Sequence, residues 1–267
     1  MEEESNTPKP SQNQVIAWWG SIIGVCLVIA FGSIFVTRAY LERRDYETEN
    51  WRPPHIARLE TDLEAVNRDG KEVSLGQLRD KVYVAGYQYT DCPAGCLGLA
   101  AVMKALKEEF GDHPKFHLVS ISVNPEGDTP EKMDAWVREK GVDTEDWWFL
   151  TGDSERFADY MLGEFKFFAT EKNTDPAVIA AEGEFAHDQR LALVDGDANI
   201  RGYYDVLNVQ RGELEYQRLK RDVRMVLNPE LKLSDMPDFS VETGPAVDLP
   251  EVERPSGTSP EPADDAS

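Results

Sequence analysis

Cysteine, histidine and basic residues are scarce in this 267-residue chain, and each scarcity removes a class of function. Its three cysteines, Cys26, Cys92 and Cys96, are too few for a disulfide scaffold. They are also too few for a closed four-thiolate zinc site. The four histidines, His55, His113, His117 and His187, leave a short list of imidazole donors. Lysine and arginine number 28 against 50 acidic residues, a net charge of −22. Such a surface repels phosphate backbones, so no nucleic-acid partner is expected. No internal repeat is visible, and only one long apolar run occurs.

That run, residues 15–36, carries no charge over 22 positions. At about 1.5 Å per residue it reaches roughly 33 Å, enough to cross the hydrocarbon core of a bilayer. Trp18 and Trp19 stand near one end, where interfacial aromatics belong. A cleavable leader would be shorter and would carry a small-x-small site, which is missing before Arg38. The run therefore reads as a transmembrane anchor behind a short tail, residues 1–14. Within it Cys26 reads as a small apolar side chain. Arg38, Arg43 and Arg44 follow the run, whereas only Lys9 precedes it. By the positive-inside rule alone this asymmetry points the large domain to the cytoplasm.

Residues 37–55 are polar, end in Pro53-Pro54 and His55, and read as a juxtamembrane stalk. Residues 231–267 are rich in Pro, Glu, Asp, Ser and Gly, a composition that cannot offset chain entropy, and read as a disordered acidic tail. Between them, residues 56–230 have the pattern of one α/β domain. Asp69-Gly70 predicts a hairpin between residues 63–66 and 72–75. Residues 81–90 read as a buried strand, 97–110 as a helix with Leu99, Val102, Met103, Leu106 and Phe110 inward, and 115–123 as a second strand. A helix follows to residue 140, with Thr129 as N-cap and Pro130 at its first position. Then come a short strand at 147–150, a helix at 153–163, a hairpin of 190–195 with 200–205, and a helix at 212–227. A hairpin, then βαβα, then an antiparallel hairpin and helix is the order of a thioredoxin-like fold.

Cys92 and Cys96 lie where the strand at 81–90 gives way to a helix. On the first turn of a helix, i and i+4 share a face, a spacing that suits either a soft metal or a reversible disulfide. Unpaired N–H groups and the helix dipole favour thiolates there, and Pro93 fits the first helical position. Two inert buried cysteines are the plain alternative, but both stand in a Pro/Gly-containing loop after the strand. Two thiolates alone suit Cu(I), whereas Zn(II) wants four ligands. The third donor would discriminate, and spacing alone does not select it. His55 abuts the stalk, His113 and His117 bracket the turn into the second strand, and His187 lies in a loop just before residue 190.

Four runs resemble the Sco/SenC family: Tyr89-Thr90-Asp91-Cys92-Pro93-Ala94-Gly95-Cys96, residues 120–130 (SISVNPEGDTP), residues 150–152 (LTG) and residues 185–195 (FAHDQRLALVD). They occur in the family's order and span nearly all of residues 60–227. The resemblance implies a membrane-anchored, thioredoxin-like copper protein that helps assemble the CuA centre of cytochrome c oxidase. It implies that Cys92 and Cys96 are thiolate ligands and His187 the imidazole ligand, holding Cu(I) and accommodating Cu(II). The partner would be the oxidase subunit carrying CuA, or another copper acceptor, and the domain would face the extracytoplasmic side. The resemblance also allows a thiol–disulfide oxidoreductase, with Cys92 and Cys96 as a reversible disulfide acting on a partner's cysteines. Peroxidase chemistry fits less well, since it wants a basic group beside the thiol and the loop has no Lys or Arg. The sequence departs from the family at Leu97, where a proline is usual, at Ala94, usually acidic, and at Asn124, usually aspartate.

Overall fold

A computed structural model describes residues 11–93, 95–142 and 144–236. Most of the N-terminal tail and of the acidic tail thus lies outside the described residues. In chain order the elements are α1 (Gln12–Glu49), β1 (Ala57–Arg58), β2 (Glu64–Asn67), β3 (Glu72–Ser74), β4 (Val82–Gln88) and α2 (Gly95–Phe110). There follow β5 (Phe116–Ser122), α3 (Pro130–Lys140), β6 (Trp147–Thr151), α4 (Ser154–Gly163), β7 (Glu171–Lys172) and α5 (Pro176–Glu182). Last come β8 (Phe185–Ala186), β9 (Leu191–Val194), β10 (Asn199–Tyr204) and α6 (Gly212–Leu227), with short 3-10 turns at Leu75–Leu78 and Leu233–Asp235.

Helix α1 forms one compact unit with the Lys232–Asp235 segment. It does not stop where the apolar run stops but continues to Glu49, because the residues beyond Val36 include good helix formers such as Arg38, Ala39, Leu41 and Glu42. Residues Val15–Arg44 are long and apolar enough to cross a membrane. Trp18 and Trp19 pack edge-to-face, with centroids 5.3 Å apart.

The second unit is built on an eight-stranded mixed sheet in the order β1-β10-β9-β4-β5-β6-β2-β3. Strands β4, β5 and β6 are parallel, and β9 runs antiparallel to β4. All seven residues of β4 and of β5 are buried, as expected for strands covered on both faces. Alternation along β4 divides the core into two layers. Val82 and Val84 join Leu99, Met103, Leu106, Val137, Leu219 and Val223, beneath α2, α3 and α6. Tyr83, Ala85 and Tyr87 join Phe157, Met161, Phe165 and Phe167 on the α4 side, and Cys92 belongs to this second layer.

Local chemistry accounts for the element ends. Gly70, at φ 77°, closes the β2–β3 hairpin. Thr129 caps α3 by accepting from the Lys132 N–H, with Pro130 first in the helix and Gly141 in the left-handed region at its end. One expectation is corrected. Helix α2 starts at Gly95, so Cys92 and Pro93 precede it rather than forming its first turn. A residue ahead of proline is steered away from helical geometry, which keeps Cys92 in the turn.

Candidate metal centre

The cysteine loop leaves the C-terminal end of β4. The Cys92 N–H reaches the Tyr89 carbonyl at 3.4 Å, and its side chain is buried. Cys96 lies in the first turn of α2, and its side chain falls outside the described part of the structure. Two side chains of the α3 region grip the loop. Asp128, 2% exposed, accepts from Thr90 Oγ1 at 2.5 Å, from the Thr90 N–H at 3.2 Å and from Ser122 Oγ at 2.6 Å. Lys132 Nζ donates to Asp91 Oδ2 at 2.5 Å and to the Gly127 carbonyl at 3.2 Å. A cation therefore does reach the loop, but from α3, and it is paired with Asp91.

His187 follows β8 directly and is 5% exposed. Its ring stands edge-on to Tyr87 (5.9 Å, 82°) and to Tyr89 (5.8 Å, 75°). Tyr89 is the foot of the cysteine loop and also packs edge-on against Phe185 at 5.5 Å. The Phe185 N–H points to the Tyr89 hydroxyl at 3.4 Å, and Gly183 approaches both that hydroxyl and the Pro93 ring. The chain on either side of β8 is thereby seated on the residues flanking Cys92. Burial pushes the Tyr87 phenol up, an effect its hydrogen bond with Thr170 Oγ1 only partly offsets.

A hydrogen bond orients the imidazole, with Nδ1 3.0 Å from the Asp188 carbonyl oxygen. A carbonyl can only accept, so Nδ1 is the donor in this bond, and in the neutral ring the lone pair falls on Nε2. Asp188, 1% exposed, accepts from the Arg190 backbone N–H (3.0 Å), Arg190 Nε (2.9 Å) and Nη2 (2.5 Å), and from the Phe168 N–H (3.2 Å). Arg190 in turn lies over the Tyr203 ring at 4.9 Å and over Phe167 at 5.7 Å.

The other histidines are elsewhere. His117 pairs in register with Tyr83 at the beginning of β4, whereas the cysteine loop follows the end of that strand. Five residues of strand separate the two levels, roughly 17 Å. His113 accepts the Lys115 N–H near the same end, and exposed His55 precedes the edge strand β1. No group of three His, Cys, Asp or Glu side chains converges among the described residues, which do not include the Cys96 side chain. Sequence reasoning gave no role to Tyr89, Asp128, Asp188 and Arg190, although they lie in the family-like runs, and did not single out Lys132. Only Asp188 had a local signal, an Asp two residues ahead of a strand-opening arginine, which suits an Asx turn.

A mixed sheet with a cysteine-bearing loop at the end of β4, and a histidine-bearing loop seated beside it, has the architecture of a thioredoxin-like protein. The SCO1/SenC family model matches residues 53–221, and the chain belongs to that family. The SCO1 protein homolog of Bacillus subtilis (strain 168) is 28% identical over 141 residues, covering 52% of this chain and 69% of that protein. Among solved structures, a SCO1/SenC family lipoprotein from Bacillus anthracis str. Ames superposes with a TM-score of 0.57 at 23% identity, covering 66% of this chain and 99% of that one. BsSco, a member of the Sco family of cytochrome c oxidase assembly proteins in which a disulfide switch is identified, gives 0.52 at 22% identity over 66% and 99%. These superpositions agree with the thioredoxin-like α/β fold read from the order of elements.

Proposed function

We propose that this protein is a membrane-anchored copper metallochaperone. Cys92 and Cys96 supply two thiolates, His187 supplies Nε2, and copper is the cargo rather than a resident cofactor. The observation that carries this reading is the seating of the His187 loop on the cysteine loop, through Gly183 and Phe185 against Tyr89 and Pro93. The donor set fits the metal. Thiolates and imidazole are the ligands that soft Cu(I) selects, and imidazole also serves Cu(II). The Nδ1 hydrogen bond leaves Nε2 as the donating atom, the usual arrangement for a ligating histidine. Three donors leave the ion open to a fourth group, so an acceptor can take it by ligand exchange.

The acceptor, on this reading, is a copper site such as CuA of cytochrome c oxidase. The protein described as BsSco belongs to the oxidase assembly proteins, which supports that choice. Residues 15–36 anchor the protein, residues 56–230 form the copper-binding domain and residues 231–267 an acidic tail, and the domain faces the extracytoplasmic side. The lipoprotein relative supports this orientation against the charge asymmetry around the span. Titration of the reduced full-length protein with Cu(I) in detergent should give one ion per chain. Tight binding that persists in both Cys92→Ser and His187→Ala would overturn the assignment.

The second reading is a thiol–disulfide oxidoreductase that reduces the cysteines of a partner copper site. The disulfide switch identified in BsSco favours it. Dithiol exchange has no need of an imidazole lone pair. A His187→Ala variant that still reduces a partner disulfide, together with negligible copper binding by the parent, would establish this reading instead.

A further inference from the structure

The carboxylate of Asp188 has no role in the reading above, which uses only its peptide carbonyl, yet it is heavily hydrogen-bonded beside the candidate imidazole. It is 1% exposed and lies one residue after His187. A buried carboxylate this well satisfied is held in a single orientation. Its Oδ1 accepts the N–H of Arg190 two residues on, an Asx turn that fixes the backbone between the two. The guanidinium closes a fork on the same carboxylate, from Nε at 2.9 Å and Nη2 at 2.5 Å. Stacking of Arg190 on Tyr203 and Phe167 fixes the fork to the α4-side core layer. The Phe168 N–H adds a tie from the segment before β7. The carbonyl of Asp188 is the atom that accepts from His187 Nδ1. With the turn locked, that carbonyl cannot rotate away.

We infer that Asp188, acting through its own peptide carbonyl and held by Arg190, is a positioning residue that selects the Nδ1–H tautomer of His187 and aims Nε2. This deepens the copper-site reading and rests on it for its purpose, but the tautomer is a property of the metal-free protein and is measured without copper. Asn at position 188 has one acceptor oxygen where the carboxylate has two, and it sets an NH2 group against the Arg190 donors. The fork then opens, the turn loosens and the carbonyl is released. Replacement of Arg190 by Lys keeps the charge but cannot reproduce the planar fork.

The test uses the reduced, metal-free, full-length protein in detergent, with ¹⁵N-labelled histidine. Four imidazoles are present, and His187→Ala assigns the relevant one. Long-range ¹⁵N–¹H spectra distinguish the tautomers directly. At a pH where the ring is neutral, His187 should be Nδ1–H. In Asp188→Asn and in the milder Arg190→Lys the two tautomers should mix. Imidazole ligation of Cu(II), read from nitrogen hyperfine structure, should weaken by about tenfold or more, the usual scale for such support. A parent His187 found as Nε2–H overturns the inference, as does a tautomer unchanged in both variants. A general packing role would lower thermal stability and leave the tautomer alone. If the tautomer shifts as stated but the parent takes up no copper, the copper reading fails while the positioning role stands.

Discussion

Gly183 lies against Tyr89: a β-carbon at position 183 would stand 2.0 Å from the Tyr89 hydroxyl oxygen and 3.0 Å from Pro93 Cδ. Its backbone, at φ 97° and ψ 177°, occupies a region essentially reserved for glycine. Gly183→Ala therefore carries both backbone strain and a clash at the joint between the two loops. The expected cost is about 2 kcal/mol or more in chemical denaturation of the full-length protein, with weakened copper binding. An alanine variant as stable as the parent would contradict this contact.

His117 should make the domain acid-sensitive. Burial is the main cause of its low pKa, about 4 against an ordinary 6.5; Lys81 and Lys107 push the same way and Asp146 opposes them. Its Nε2 has no hydrogen-bond partner, and its ring packs edge-on against Trp148 at 4.9 Å. Above pH 6.5 the ring is neutral in both folded and unfolded chains, and stability is full. As pH falls from 6.5 to 4 the unfolded chain takes up the proton first, so stability declines, by up to about 3 kcal/mol. His117→Phe should flatten the denaturation midpoint between pH 6.5 and 5, above the range of most carboxylates. An unchanged slope would exclude His117 as its source.

The two grips of the α3 region on the cysteine loop should differ in strength. Lys132 and Asp91 are solvent-accessible, so Lys132→Ala should cost less than about 1 kcal/mol and be screened by salt. Asp128 is buried and satisfies the Thr90 N–H together with two hydroxyls, so Asp128→Ala strands buried donors and should cost about 1–3 kcal/mol. Urea denaturation of both variants checks the order, and the reverse order would contradict it.

Much of this fold was legible because its signals are local. Asp69-Gly70 marked the hairpin, Thr129-Pro130 opened α3, and the 3.6-residue pattern of α6 predicted Gly212–Leu227. Pro93 was read as the first helical position, two residues ahead of the observed start at Gly95, because proline fits that position as well as the turn the chain adopts there. Residues 164–184 suggested no element, since β7 has two residues and α5 (Pro176–Glu182), with seven, is too short to show a helical period. That stretch supplies Gly183, the contact that seats the His187 loop. His187 itself was indistinguishable by spacing from three other histidines, and it emerged only through the family resemblance. Asp188 and Arg190 were invisible as a pair because their meaning lies in the carbonyl they hold, not in their identities.

Topology gives a fourth expectation. With Cys26, Cys92 and Cys96 replaced by serine and exposed Glu139 replaced by cysteine, a membrane-impermeant maleimide should label intact cells. Labelling only after lysis would put the domain in the cytoplasm, as the arginines after the span suggest, and would remove the oxidase-assembly role.

The central claim is that Cys92, Cys96 and His187 together hold one copper ion. Copper K-edge absorption of the reduced, Cu(I)-loaded full-length protein measures that ligand set directly. The account predicts two sulfur donors and one imidazole nitrogen in the parent, with the nitrogen lost in His187→Ala and one sulfur lost in each of Cys92→Ser and Cys96→Ser. A sulfur-only site in the parent, or a spectrum unchanged by His187→Ala, would contradict it.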